Sequence, residues 1–282
     1  MFKTNRKSVQ GYRTQDGAGV SLVRVLSTKD VEDYDPFLMM DSFDSTDPED
    51  YYRGFPMHPH RGIETITYLI HGEIDHEDSL GNKGTIHDGD SQWMTAGSGI
   101  LHQEMPQEAE RMLGLQIWLN LPKSEKMTSP KYFDIKGEDV PEVKTEDYTV
   151  KVISGKFEDA QGAKPHHIQA TIFDIDLKDG KEIEIPSSSD ESAFVFTILG
   201  EAEINDELIK EKTAVLFRRD GDSIKIKASN GDTRVIYFQA PALREPIAWG
   251  GPIVMNTNEE LNLAFQELKD GTFIKEQPEG EL

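Results

Sequence analysis

The chain has no cysteine, which removes disulfides, thiolate metal ligands, iron–sulfur clusters and a cysteine nucleophile together. Any bound metal must therefore sit on His, Asp or Glu. Positive charge is scarce: 30 Lys and Arg stand against 52 Asp and Glu, a formal net charge of −22. Such a field repels phosphate backbones and anionic lipid surfaces, so nucleic acid and membrane are poor partners. Long hydrophobic runs are also missing. The most apolar stretch, Ala193 to Leu199, falls far short of the ~18 to 20 residues that span a bilayer, and Met1 to Thr14 lacks the apolar centre of a signal peptide. The expected location is the cytoplasm.

What remains is ample for packed cores: 282 residues, 36% of them hydrophobic, with three Trp, eight Tyr and thirteen Phe. At ~100 to 200 residues per domain this length predicts two domains, 1–130 and 131–282. The boundary is expected in the polar stretch from Lys123 to Asp147, which carries Pro130 and Pro141 and little periodic apolar pattern. Short segments rich in Val, Ile, Thr and aromatics recur between glycine-marked turns and predict strands. These are Val20 to Leu26, Thr65 to Ile70, Leu113 to Leu119, Tyr148 to Ser154, Ile168 to Leu177, Ala193 to Leu199, Thr213 to Phe217, Ser223 to Ala228 and Thr233 to Gln239. The fold class is all-β. One segment departs from it. From Thr257 to Lys269, Leu261, Ala264, Phe265 and Leu268 follow helical spacing, Thr257 with Glu260 forms a capping box, and Gly271 supplies the stop. A faint internal echo of Tyr68–Ile74 in Thr197–Glu203, and of Gly89-Asp90 in Gly221-Asp222, points to two copies of one barrel architecture.

The eight histidines are unevenly spread, six of them falling between His58 and His102. Side chains at i and i+2 of a strand share a face, so His58 and His60 offer two imidazoles to one point, and His102 with Glu104 repeats the spacing. On neighbouring strands the four side chains would converge as three imidazoles and a carboxylate. That set suits one divalent first-row transition metal with open positions, and iron, manganese, nickel, copper and zinc all satisfy it. A lone His-x-His is more often an ordinary polar strand pair; two such pairs together shift the balance toward a site. Glu64, on the parity of His60, is the alternative carboxylate, although a neighbour of the ligands or a solvated strand residue is its blander reading. His71, His76 and His87 sit near hairpins and are left out, and adjacent His166 and His167 would point to opposite faces. Phe55, Met57, Met94 and Ile100 flank the ligands as pocket lining or as plain core.

The run His58-Pro-His60-Arg-Gly-Ile-Glu64-Thr-Ile-Thr-Tyr68-Leu, then His76-Glu-Asp78-Ser, then Gly89-Asp-Ser-Gln92-Trp-Met-Thr-Ala-Gly97-Ser-Gly99-Ile-Leu-His102-Gln-Glu104-Met-Pro106, closely resembles the pirin family of bicupins. The likeness covers about Phe37 to Pro122, and Trp249-Gly-Gly-Pro252-Ile resembles the family's carboxy-terminal end. Seven residues separate Glu64 from Gly72 where a general cupin has six, and the second motif lacks its proline; pirins share both departures. The resemblance implies two cupin-type β-barrels and one metal per chain, usually Fe(2+), held in the first barrel by His58, His60, His102 and Glu104. In the second barrel the echo places Pro186, Ser188, Arg234 and Ile236 opposite those ligands, and none of these binds metal.

Two functional classes follow from the resemblance. One is an enzyme of quercetin 2,3-dioxygenase type, in which a flavonol-like aromatic substrate reacts with O2 and its ring opens with loss of carbon monoxide, Glu104 serving as the catalytic base. The other is a redox-sensitive iron-binding regulator that meets a protein partner such as a transcription factor. The enzyme is the preferred reading, because a site with open positions serves chemistry whereas a structural metal is usually closed.

Overall fold

The computed structural model describes residues 1–276 and is mainly β. The chain divides into two compact units, neither contiguous in sequence. One gathers Met1–Tyr12, Val25–Pro36 and Glu138–Ala242; the other gathers Arg13–Arg24, Phe37–Gly137 and the chain from Leu243 onward. This differs from the linear halves 1–130 and 131–282, because local polarity marks loops but carries no trace of which distant strand a segment joins.

The first unit holds a nine-stranded antiparallel sheet whose main path runs Asn5–Gln10, Thr213–Phe217, Ser192–Ile204, Ser223–Ala240, Thr171–Leu177, Tyr148–Ser154, Glu142–Lys144. Its core is drawn from the inward parity of these strands, with Val152, Phe173, Val195, Val215, Val235 and Tyr237 among the buried side chains. Where two strands were expected on either side of Gly231, one strand runs unbroken from Ser223 to Ala240, with Gly231 at φ 130° inside it. Arg234, one of the positions the echo set opposite the ligands, pairs with Asp174.

The second unit holds a seven-stranded sheet and a four-stranded sheet. Ile63–His71 and Met112–Asn120 lie at the middle of the larger one and are buried almost throughout, so the single apolar parity of Leu113 to Leu119 understates a strand covered on both faces. The smaller sheet has the order Phe55–His60, Ile100–Pro106, Ile74–Asp78, Lys83–Ile86. The expected linker is partly structured: Lys131–Ile135 pairs with Ser91–Thr95 at the edge of the larger sheet.

The helix is present over Asn258–Asp270, with the Thr257–Glu260 capping box and Gly271 in the left-handed conformation as its stop. It belongs to the second unit, where Leu261 and Ala264 pack with Ala248, Ile253, Met255 and Phe273. Phe265 departs from the expected buried face: it is 42% exposed, one face of its ring covering Gly250 and the rest meeting solvent. Among the described residues no helix is long and apolar enough to cross a membrane.

Candidate metal centre

The four-stranded sheet sets out the site by register. His58 lies directly opposite His102 across the antiparallel ladder, and His60 opposite Ile100; a bulge follows between His102 and Glu104. On the other side His102 faces Asp78 and Glu104 faces His76. Directly paired residues project to the same face, so His58, His102, Glu104, His76 and Asp78 share one. Gly54 permits the close approach behind them: at φ 58°, a Cβ there would stand 2.7 Å from the Glu104 carbonyl oxygen.

The three expected histidine ligands converge. Ligand atoms of His58, His60 and His102 all lie within 4.8 Å of one another. Hydrogen bonds fix two of the tautomers. His58 Nδ1 is 2.9 Å from the Pro56 carbonyl and His60 Nδ1 is 2.9 Å from the Pro252 carbonyl. A carbonyl only accepts, so both Nδ1 atoms carry the proton and both Nε2 atoms are left with lone pairs. Those two Nε2 atoms face each other at 3.1 Å. A neutral pair in this arrangement sets lone pair against lone pair, which a cation between them relieves. His102 is wholly buried, and among the described residues neither of its ring nitrogens has a hydrogen-bond partner.

The electrostatics agree. Burial, with His58 adding to it, draws His60 down to about 3. Burial followed by the His60, His58 and His76 rings holds His102 well below the ordinary imidazole value. Imidazoles kept neutral and left with unused lone pairs in a buried cluster form a donor set for a divalent transition metal.

Glu104 is buried on the strand of His102 but lies outside the group of mutually close donors. The Thr67 hydroxyl and the Gln92 side-chain amide both donate to its Oε1, and no hydrogen bond falls on Oε2 among the described residues. Glu64 turns elsewhere, accepting from Thr95 Oγ1 at 2.8 Å. Met94 and Ile100 are fully buried core, Phe55 packs on Phe43, and Met57 is exposed.

His76, set aside on sequence grounds, is buried against the site. Its ring stacks on Tyr132 at 4.3 Å, lies 5.5 Å from the ring of His102, and places Nε2 3.4 Å from Asp78 Oδ2. The i, i+2 pattern His76-x-Asp78 was its signal, of the same kind as His58-x-His60. Tyr132 came from the stretch read as linker and carried none. Trp118 is a further neighbour, edge-on to His60 at 4.9 Å, with Trp249 at 5.9 Å from Trp118. His71 and His87 are exposed and pair with Asp88 and Glu73; His166 and His167 lie in a bend rather than a strand.

The family model described as Pirin matches residues 19–119, and that of the Pirin C-terminal cupin domain matches 172–274. A pirin-like protein of Caulobacter vibrioides is 40% identical over 271 residues, covering 95% of this chain and 98% of the relative. The chain belongs to the pirin family. Human pirin is 39% identical, with 94% of this chain and 92% of that one covered. The crystal structure of a quercetin 2,3-dioxygenase from Acinetobacter baumannii superposes with a TM-score of 0.89 at 31% identity, covering 97% of this chain and 99% of the other. A bacterial pirin from Escherichia coli in complex with nickel(II), at 20% identity and a TM-score of 0.64, shares the fold. The pirin match extends over both units, so the bicupin architecture implied by the sequence holds, although the strand order of each sheet runs from edge to edge without closing.

Proposed function

We propose that this pirin-family protein is a metal-dependent dioxygenase of quercetin 2,3-dioxygenase type, taking a flavonol-like aromatic substrate and O2. The observation that carries the metal is the facing of His58 Nε2 and His60 Nε2 at 3.1 Å, with both Nδ1 protons already committed to backbone carbonyls. His58, His60 and His102 would hold it through neutral nitrogens and Glu104 through Oε2, giving one Fe(2+) per chain. When bound, such a metal acidifies a coordinated hydroxyl and leaves positions open for substrate and oxygen.

The chain's own groups handle the proton. Glu104 is the only carboxylate of the four, and Thr67 and Gln92 anchor its Oε1, so Oε2, once displaced from the metal by the substrate, is the atom that accepts the proton of the flavonol 3-hydroxyl. The anchored oxygen keeps the carboxyl group from swinging away as that proton arrives. Ring opening with O2 then releases carbon monoxide. The resemblance to the Acinetobacter baumannii enzyme in fold and sequence supports this choice of reaction. The test is O2 consumption and carbon monoxide release with quercetin by the iron-loaded protein. Both are expected; absence of both removes the enzymatic reading and leaves a metal-binding regulator with a protein partner.

A further inference from the structure

The histidine cluster depends on a segment almost two hundred residues away. The carbonyl that fixes His60 belongs to Pro252, in the turn of the short hairpin formed by Ala248–Gly250 and Ile253–Met255. This segment runs alongside the ligand strand. Arg61 and Ile253 form a parallel bridge, and the Val254 N–H donates to the Arg61 carbonyl at 3.1 Å. Gly62 makes the approach possible, since at φ 78° a Cβ there would fall 2.1 Å from the Val254 carbonyl oxygen.

A backbone carbonyl stays where its segment is anchored, and here the anchor is the side chain next to the ligand. Arg61 is 2% exposed. Its Nε donates to the Ser98 carbonyl at 2.7 Å and its Nη2 to the Phe273 carbonyl at 2.8 Å, while the guanidinium carbon lies 4.2 Å from the centre of the Phe273 ring. Its remaining terminal nitrogen, Nη1, is 2.7 Å from Glu267 Oε2. Glu267 in turn reaches Lys275 through Oε1 at 2.8 Å. A nearly dry guanidinium with one carboxylate partner is held firmly, because removing that partner strands a buried charge.

We propose that Arg61 and Glu267 are positioning residues for the metal site: by clamping the carboxy-terminal segment to the ligand strand they keep the Pro252 carbonyl on His60 Nδ1 and so aim His60 Nε2 at the metal. The proposal rests on the metal-site reading above. Partners that fix the far nitrogen of a ligating histidine typically govern metal affinity ~10- to 100-fold; the clamp acts one step further out, so the lower end is expected.

The test uses the full-length protein with Glu267→Gln, which keeps the size of the side chain and removes its charge, and Glu267→Ala as a second variant. In the metal-free protein, imidazole nitrogen NMR reads the His60 tautomer directly. Wild type should show His60 protonated at Nδ1, and both variants should show that population reduced while the amide spectrum stays folded. Nickel(II) titration should give an affinity ~10-fold weaker in the variants. An unchanged His60 tautomer together with affinities within about twofold of wild type overturns the proposal and leaves Arg61–Glu267 as a plain staple of the helix. If wild type binds no nickel(II), zinc or Fe(2+), the metal-site reading fails, and the tautomer measurement alone then decides whether the clamp orients His60.

Discussion

Thr67 Oγ1 lies 2.6 Å from Glu104 Oε1 and 2.7 Å from the side-chain oxygen of Gln116, so one hydroxyl proton stands between two acceptors. Gln92 Nε2 donates to the same hydroxyl at 3.1 Å and also reaches Glu104 Oε1. The charged acceptor draws the proton more strongly. Glu104 thus belongs to a network spanning four strands, which separates its charge from its placement experimentally. Glu104→Gln keeps an oxygen near the metal but removes the basicity, and turnover of quercetin should fall ~100-fold or more with most of the iron retained. Thr67→Val leaves the carboxylate charged but loosens one oxygen, and the fall should be nearer 10-fold, the scale of one hydrogen bond to a charged group. Equal activity of wild type and Glu104→Gln at equal iron loading would exclude Glu104 as the base.

Local pattern carried the histidines and little of what surrounds them. His58, His60 and His102 were legible because strand parity is a two-residue rule, and the helix was legible because both of its caps lie within its own span. The Pro252 carbonyl on His60 and the Arg61–Glu267 pair were not, since each joins residues brought together only by folding. The first unit shows the same limit. Asn5–Gln10 pairs with Thr213–Phe217, and nothing in a polar amino-terminal segment announces that partner. Tyr132 was hidden in a different way: proline and charge around a short edge strand look like a linker.

Metal stoichiometry follows from the donor count. Among the described residues His58, His60 and His102 form the one group of close donors. Elemental analysis in chelator-free buffer should find one equivalent of metal per chain, and His58→Ala combined with His102→Ala should lose it. Two equivalents, or undiminished metal in the double variant, would show that the donors lie elsewhere.

The helix offers a graded pair of truncations. Leu261 is 9% exposed and Phe265 is 42% exposed. Leu261→Ala should cost ~2 to 5 kcal/mol, the range for a core leucine, and lower the melting temperature by several degrees. Phe265→Ala should cost less, because much of its ring already meets water and only the face over Gly250 is lost. Thermal unfolding of the two variants checks the order; a larger loss for Phe265→Ala would mean that its exposed face is covered in solution.

The clamp also has a pH signature. Burial opposes ionisation of Glu267, but Lys275 and Arg61 outweigh it and hold the carboxyl below its ordinary value of 4.5. With the folded value below the unfolded one, the unfolded chain binds the proton first. The stabilisation is therefore fully present above about pH 4.5 and is lost as the pH falls through the lower folded value. Comparing metal-free wild type with metal-free Glu267→Gln cancels the titration of every other group to first order. The gap in urea stability should be roughly 1 to 3 kcal/mol at pH 7, the scale of hydrogen bonds to charged groups. It should be unchanged at pH 5 and narrowed at pH 3. A gap as wide at pH 3 as at pH 7 would mean that the Glu267 charge does not hold the segment, because protonating the wild-type carboxyl would then have removed nothing.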